Sequence, residues 1–202
     1  VTGLLKGDLG TSLRTKRPVA VEVSNRYANT AKLTLLALAW STIVGVLLGV
    51  WSGRHRSRWQ DYTGMTLAVS GISLPSFWVG FMLIMVFSVN LKWFPTTGAD
   101  SLKSLVLPSI ALGSSIAAII ARFTRSSIIE VLKDDYIRTA RAKGLRERVV
   151  VWKHAFRNAM ISVVTVVGLQ FGFLLGGSVV TESVFAFPGL GSLLVESVNY
   201  RD

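Results

Sequence analysis

The chain has no cysteine and only two histidines among its 202 residues. Disulfide and thiol chemistry are excluded. His55 and His154 stand apart in segments expected to face water, and each reads as a surface residue, because a metal site needs clustered ligands. No phosphate-cradling G-x-x-x-x-G-K-[ST] run occurs, so ATP must be bound by another chain wherever it is used. No basic start followed by an apolar signal core is present. Charge is missing from four long stretches: Leu33–Val50, Thr63–Val89, Ser104–Ala121 and Ala159–Thr181. None of them holds an Asp, Glu, His or Lys that could act as a catalytic or ion-relay group. A membrane-embedded enzyme would have only Ser, Thr and Gln170 to work with there.

What the chain does have is apolar residues, 50% of the total, in uninterrupted runs. A soluble domain would space them at helix or strand periods. Runs of roughly 18 to 27 residues, at ~1.5 Å per residue, extend about 27 to 40 Å and can cross a hydrocarbon core ~30 Å thick. The expected fold class is therefore all-α, a polytopic integral membrane protein. A transmembrane core, residues 28–181, is expected to hold spans at about 28–51, 63–89, 104–122 and 159–181, between a tail (1–27) and a segment at 182–202.

The net charge is +11 and is unevenly placed. The loop after the first span carries Arg54, Arg56 and Arg58, and the block from Arg122 to Arg157 carries ten Lys or Arg. The loop after the second span is nearly neutral. By the positive-inside rule the two basic segments face the cytoplasm, and the tail, the middle loop and the final segment face outward. Inward segments then carry net +8 and outward ones net +3. Because the basic residues follow membrane topology, nucleic-acid binding is not the reading of the charge. A tail held outside without a signal calls for an upstream span, so further spans are expected before Val1 and after Asp202.

Within the spans, Ser41, Gly45, Gly49 and Gly53 fall at steps of four and would bring another helix close. Pro75 would press on the carbonyl of Gly71 and kink the second span, either as a hinge or pathway opening or as a plain bend. The third span would start near Pro108, and its terminal Arg122 and Arg125 would reach lipid headgroups. Gly168, Gly172 and Gly176 mark a second close-packing face, expected near the centre of an assembly. Gln170, at mid-span, is either interhelical glue or part of a polar pathway. The short VAVEV in the tail is a strand or a helix start. TESVFAFPGLGSLLVESVNYRD is too broken to span and reads as a short helix or loop.

The block Ile129–Asn158 differs from everything around it. Ile129, Leu132, Tyr136, Ile137 and Ala140 fall at helical spacing, Gly144 offers a helix stop, and Arg146–Phe156 resumes helical character. Such a helix–glycine–helix segment either lies on anionic headgroups or meets a partner protein.

DYIRTARAKGL, HAFRNAM, VFAFPGLG, GDLGTSL and SGISLPSFW together resemble the type I permease subunits of bacterial ABC importers, in the dipeptide, oligopeptide, glutathione and nickel branch. The resemblance covers essentially the whole chain. It implies the type I permease fold, with four spans here, and a cytoplasmic coupling helix pair at 126–158 that docks on an ATPase. Of the family's Glu-Ala-Ala-x-x-x-Gly motif, Ala140 and Gly144 match, whereas Arg138 and Thr139 depart. The implied contacts are Tyr136, Ala140 and Leu145 as apolar knobs, with Arg138, Thr139, Arg141 and Lys143 around them and Gly144 as the turn. The implied partners are a second homologous permease, two cytoplasmic ATPase subunits that bind ATP and Mg, and an extracytoplasmic solute-binding protein. No cofactor is expected in this chain. The implied location is the bacterial inner membrane, and the implied substrates are di- and oligopeptides, then glutathione, nickel or a metal chelate.

Overall fold

A computed structural model describes residues 9–99 and 101–201. They form an all-α membrane protein of eight helices among the described residues. These are α1 (Val19–Arg54), α2 (Trp59–Ser73), α3 (Ser76–Asn90), α4 (Leu102–Val131), α5 (Asp135–Ala142), α6 (Glu147–Gly177), α7 (Val179–Val184) and α8 (Leu190–Tyr200). Three are long and apolar enough to cross a membrane, α1, α4 and α6, while α2 and α3 pass the same test only as a pair, bent by 99° at the break between them. The end of α3, Ile84–Asn90, and the start of α6, Val150–Ala155, widen into π-helix.

The boundaries correct several expectations. VAVEV is the first turn of α1, which starts just after Pro18; the Pro18 carbonyl accepts from the amides of Val21 and Glu22. Pro75 does not kink a continuous helix but ends one. α2 stops at Ser73, and Leu74 is extended (φ −90°, ψ 125°), because the proline ring bars the α region to the residue before it. Gly71 therefore relieves no ring clash; a Cβ there would sit 3.4 Å from the Ser114 carbonyl oxygen of α4, an ordinary contact. Pro108 is not a first-turn residue either. α4 starts six residues earlier, at Leu102, where Ser101 and Ser104 exchange hydrogen bonds that fix the first turn, so the proline lies inside the helix. α4 also continues past Arg122 and Arg125 to Val131. Ile129 and Leu132 accordingly belong to the end of α4 and the turn after it, not to the helix carrying Tyr136. The final segment holds α7 and α8 around a Pro188–Gly189 turn. The expected tail falls in part on residues 1–8, outside the described residues.

The chain divides into two compact units. One comprises Ala37–Pro75 and Gly113–Phe173. Its centre is the seam between α1 and α4. A Cβ on Gly45 would meet the Ala117 carbonyl oxygen at 2.6 Å; on Gly49, the Thr124 Cβ at 2.5 Å; on Gly53, the Ile128 Cγ2 at 2.9 Å. Backbone lies on backbone because no side chain intervenes. α2 joins through Gly64 and Ala68, the latter buried with Ala118 and Ala121. Gly49→Ala is expected to destabilise this unit by about 1–3 kcal/mol, since neither the Ala121 backbone nor the Thr124 Cβ can yield freely. A detergent-unfolding titration with an unshifted midpoint would contradict it.

The other unit gathers the remaining described residues, the segments ending at Leu36, from Ser76 to Leu112, and from Leu174 onward. Leu33, Leu107, Phe185 and Phe187 are buried in it. Gly80 of α3 admits the side chains of Val184 and Phe185, each 3.1 Å from where its Cβ would be.

Candidate coupling site

The charged segment after α4 folds back on the helix that leads into it. Ile137 and Ala140 of α5 are buried with Val150 and Ala155 of α6, and Val131 and Leu132 pack against them. The rest of α5 and its turn is open: Tyr136, Arg138, Thr139, Arg141, Lys143, Gly144 and Leu145 are all exposed. Seven of the eight expected contact residues are thus accessible. Ala140 is the exception and corrects the expectation that it is a knob: at 6% exposure its methyl group belongs to the core between α5 and α6.

Gly144 supplies the turn. Its φ of +75° lies in the left-handed region. The Gly144 amide donates to the Arg141 carbonyl and the Leu145 amide to the Ala140 carbonyl, the paired bonds of a Schellman ending. A Cβ at Gly144 would meet nothing within 4 Å, so the requirement for glycine is one of backbone conformation and not of space. The turn is braced from outside: Arg141 Nε and Nη2 donate to the two Glu147 carboxylate oxygens at 3.2 and 2.8 Å. Those bonds hold the Arg141 guanidinium even above its usual range. Arg141 is therefore engaged within the segment, and Arg138 donates to Asp135 at 3.2 Å. Thr139 returns its hydroxyl to the Asp135 carbonyl, and Asn158 donates to the Tyr136 hydroxyl at 2.6 Å.

The sequence reading missed how this segment is tied to the rest of its unit. Asp61, in the first turn of α2, is 3% exposed. Arg125 of α4 donates to it through Nε (2.6 Å) and Nη2 (2.7 Å), the Ser57 amide donates at 3.0 Å, and the Ser52 hydroxyl of α1 also donates to it. Arg125 is thus not a headgroup anchor. Its planar fork finds a carboxylate inside the fold, where a bidentate pair is worth more than contact with lipid. The available signal was an Asp at one helix end and an Arg at another on the same expected membrane face.

A second missed residue lies in the other unit. Glu182 of α7 is fully buried. Its Oε1 accepts from the Thr30 hydroxyl at 2.7 Å and the Ser178 hydroxyl at 3.0 Å, and its Oε2 accepts from the Ser192 amide at 2.9 Å. Thr30 in turn accepts from the Leu190 amide, and Asn29 donates to the Pro188 carbonyl. The Pro-Gly-Leu-Gly turn is thereby pinned to α1, and a Cβ on Gly189 would overlap the Glu182 carboxyl group. Glu182→Gln turns an acceptor into a donor facing other donors and is expected to cost about 1–3 kcal/mol, read as a lower thermal unfolding midpoint in detergent. An unchanged midpoint would contradict that role.

The other expected site residues do not join either cluster. Gln170 is half-buried and forms no side-chain hydrogen bond among the described residues. Gly168, Gly172 and Gly176 have nothing within 4 Å of a Cβ position, so no described residue packs closely on that face. Pro75 is exposed. No group of three or more His, Asp or Glu able to hold a metal occurs among the described residues.

Residues 45–202 match the family described as binding-protein-dependent transport system inner membrane component. The glutathione transport system permease protein GsiC of Pectobacterium atrosepticum is 55% identical over 202 residues, which is all of this chain and 66% of that protein. Its counterparts in Salmonella typhi and Escherichia coli (strain K12) are 54% identical over the same shares. The chain thus spans 66% of the length of these curated relatives. The crystal structure of an amino acid ABC transporter with histidines has the same fold, with a TM-score of 0.68 at 17% identity over 90% of this chain and 81% of that one. The chain belongs to the family of binding-protein-dependent transport system inner membrane components, with the type I ABC permease fold.

Proposed function

We propose that the protein acts as a membrane-spanning permease subunit of an ABC importer and couples solute passage to ATP hydrolysis by a partner chain. The observation that carries this reading is the segment Asp135–Val149. It buries Ile137 and Ala140 toward its own unit and turns Tyr136, Leu145 and a set of basic side chains outward. A loop resting on headgroups needs no Schellman turn and no Arg141–Glu147 brace. A docking element must be rigid, firmly mounted and neither lipid-like nor wholly polar. Closure of two ATPase subunits, which bind the ATP and Mg, would move this element and the helices mounted on it as a body.

The orientation follows the charges: the segment and the Arg54–Arg58 loop face the cytoplasm. In support, one compact unit contains both of these basic segments, and the other contains the described parts of all three outward ones. The open glycine face of α6, flanked by exposed Leu169 and Phe173, lies against a second homologous permease in this reading. An extracytoplasmic binding protein delivers the solute. We assign glutathione, a short peptide, as that solute, ahead of the di- and oligopeptides expected first, because the relatives at 54–55% identity are glutathione permeases by name.

The test is ATP-dependent uptake of labelled glutathione by vesicles holding the assembled transporter and its binding protein. Uptake that unlabelled glutathione competes and a plain dipeptide does not supports the assignment. ATP-dependent uptake of a labelled dipeptide and not of glutathione would return the solute to the peptide class, and absence of ATP-dependent uptake of either would remove the permease reading.

A further inference from the structure

α2 has two unlike faces. Gly64, Ala68 and Gly71, at helical spacing, are turned to the neighbouring helices of their unit. About half a turn away, Tyr62, Thr66, Ser70 and Ser73 are exposed along the wall of an open groove of about 670 Å³. Met65 and Val69 lie between them, and the Asp61–Arg125 pair closes one end.

A face with four hydroxyl groups is not what hydrocarbon selects. The exposed side chains of α1 in the same unit show the contrast, with Ile43, Val44 and Leu47 outward. Ser70 and Ser73 return their hydroxyls to the Leu67 and Val69 carbonyls of their own helix, at 2.8 and 3.0 Å, and leave acceptor lone pairs open. Tyr62 and Thr66 form no side-chain hydrogen bond among the described residues. Polar groups in the membrane face water or protein, because an unsatisfied one in lipid costs several kcal/mol. The groove's single carboxylate and single guanidinium cancel each other, so it offers hydrogen bonds and apolar contact without net charge. That suits passage of a polar, amide-bearing solute, which must be wetted and guided but not held.

We propose that this groove is a wall of the aqueous solute pathway, and that Tyr62, Thr66, Ser70 and Ser73 touch a peptide-like solute on its way through. The proposal rests on the permease reading above, and its test separates the two. Because the chain lacks cysteine, Thr66→Cys, Ser70→Cys and Ser73→Cys each place one thiol in it, with Leu67→Cys, exposed on a different face of α2, as the comparison. The assembled transporter in proteoliposomes is treated with a charged, membrane-impermeant methanethiosulfonate during ATP turnover, with labelling of the cysteine-free chain as background. The groove positions are expected to label on the order of 10-fold faster than Leu67→Cys, as water-facing thiols do against lipid-facing ones. Uptake should fall with labelling only at the groove positions, and glutathione should slow the reaction there. Equal labelling rates at all four positions would overturn the proposal, as would fast groove labelling that leaves uptake untouched. If the unlabelled wild-type transporter shows no uptake, the permease reading fails, and with it the solute role of the groove, whatever the labelling pattern.

Discussion

Replacing Arg125 with alanine is expected to destabilise the protein by about 3–5 kcal/mol, because it strands a buried carboxylate. Asp61 keeps the Ser52 and Ser57 donors but loses both guanidinium bonds and its counter-charge. The deficit comes from removing one partner alone. Removing both, with Asp61→Leu and Arg125→Met, is expected to restore most of the stability, since a well-packed apolar pair can replace a buried ion pair at little net cost. Size-exclusion profiles after detergent extraction report the difference: aggregation of the single variant and a near-normal peak for the double. A single variant as stable as the parent would show that the pair holds nothing together. The consequence reaches the candidate site, because Arg125 sits on α4, whose end at Val131 packs against the coupling pair.

Gly144→Val is expected to abolish most uptake, on the order of a 10-fold loss or more, while the chain remains in the membrane. An L-residue in the left-handed region costs roughly 1–2 kcal/mol, and a β-branched one more. The relief is to leave that conformation, which breaks the hydrogen bonds from the Leu145 and residue-144 amides to the Ala140 and Arg141 carbonyls and pulls Arg141 away from Glu147. Because the space around the Cβ position is open, size is not the obstacle. Gly144→Asn, which tolerates the same φ, is therefore expected to retain most uptake although it is about as large as valine. Uptake per immunoblotted chain distinguishes the outcomes. Equal loss in both variants would mean that bulk, and not conformation, matters at the turn.

Much of this architecture was legible because the membrane writes plainly. Charge-free runs lie in each of the three long apolar helices, and the basic block stood out against them. Gly144 could be read as a turn from its place between two helical stretches. The expectations that failed did so where local geometry or a distant partner decides. Pro75 acts through Leu74 and ends a helix that apolar length alone would continue. Ser101 and Ser104 start α4 well before the proline that looked like its first turn. Ala140 matched a motif position, but which side of α5 it faces depends on Val150 and Ala155, which lie beyond the turn. Asp61 and Glu182 were the deepest omissions. Each lies just outside a charge-free run, and its partners stand 64 residues away at Arg125 or 152 residues away at Thr30. No periodicity reports such a pairing. A single carboxylate at the edge of an apolar span is the trace it leaves in the sequence.

The central claim is that the surface of α5 and its glycine turn meets an ATP-hydrolysing partner. Leu145, 39% exposed beside the turn, is the position to ask. In the assembled transporter, Leu145→Cys treated with a short bifunctional thiol reagent should yield a product joining this chain to the ATPase subunit, while Leu169→Cys should not. A Leu145→Cys thiol that a small reagent modifies freely, yet that never joins to the ATPase subunit in the complex, would contradict the account.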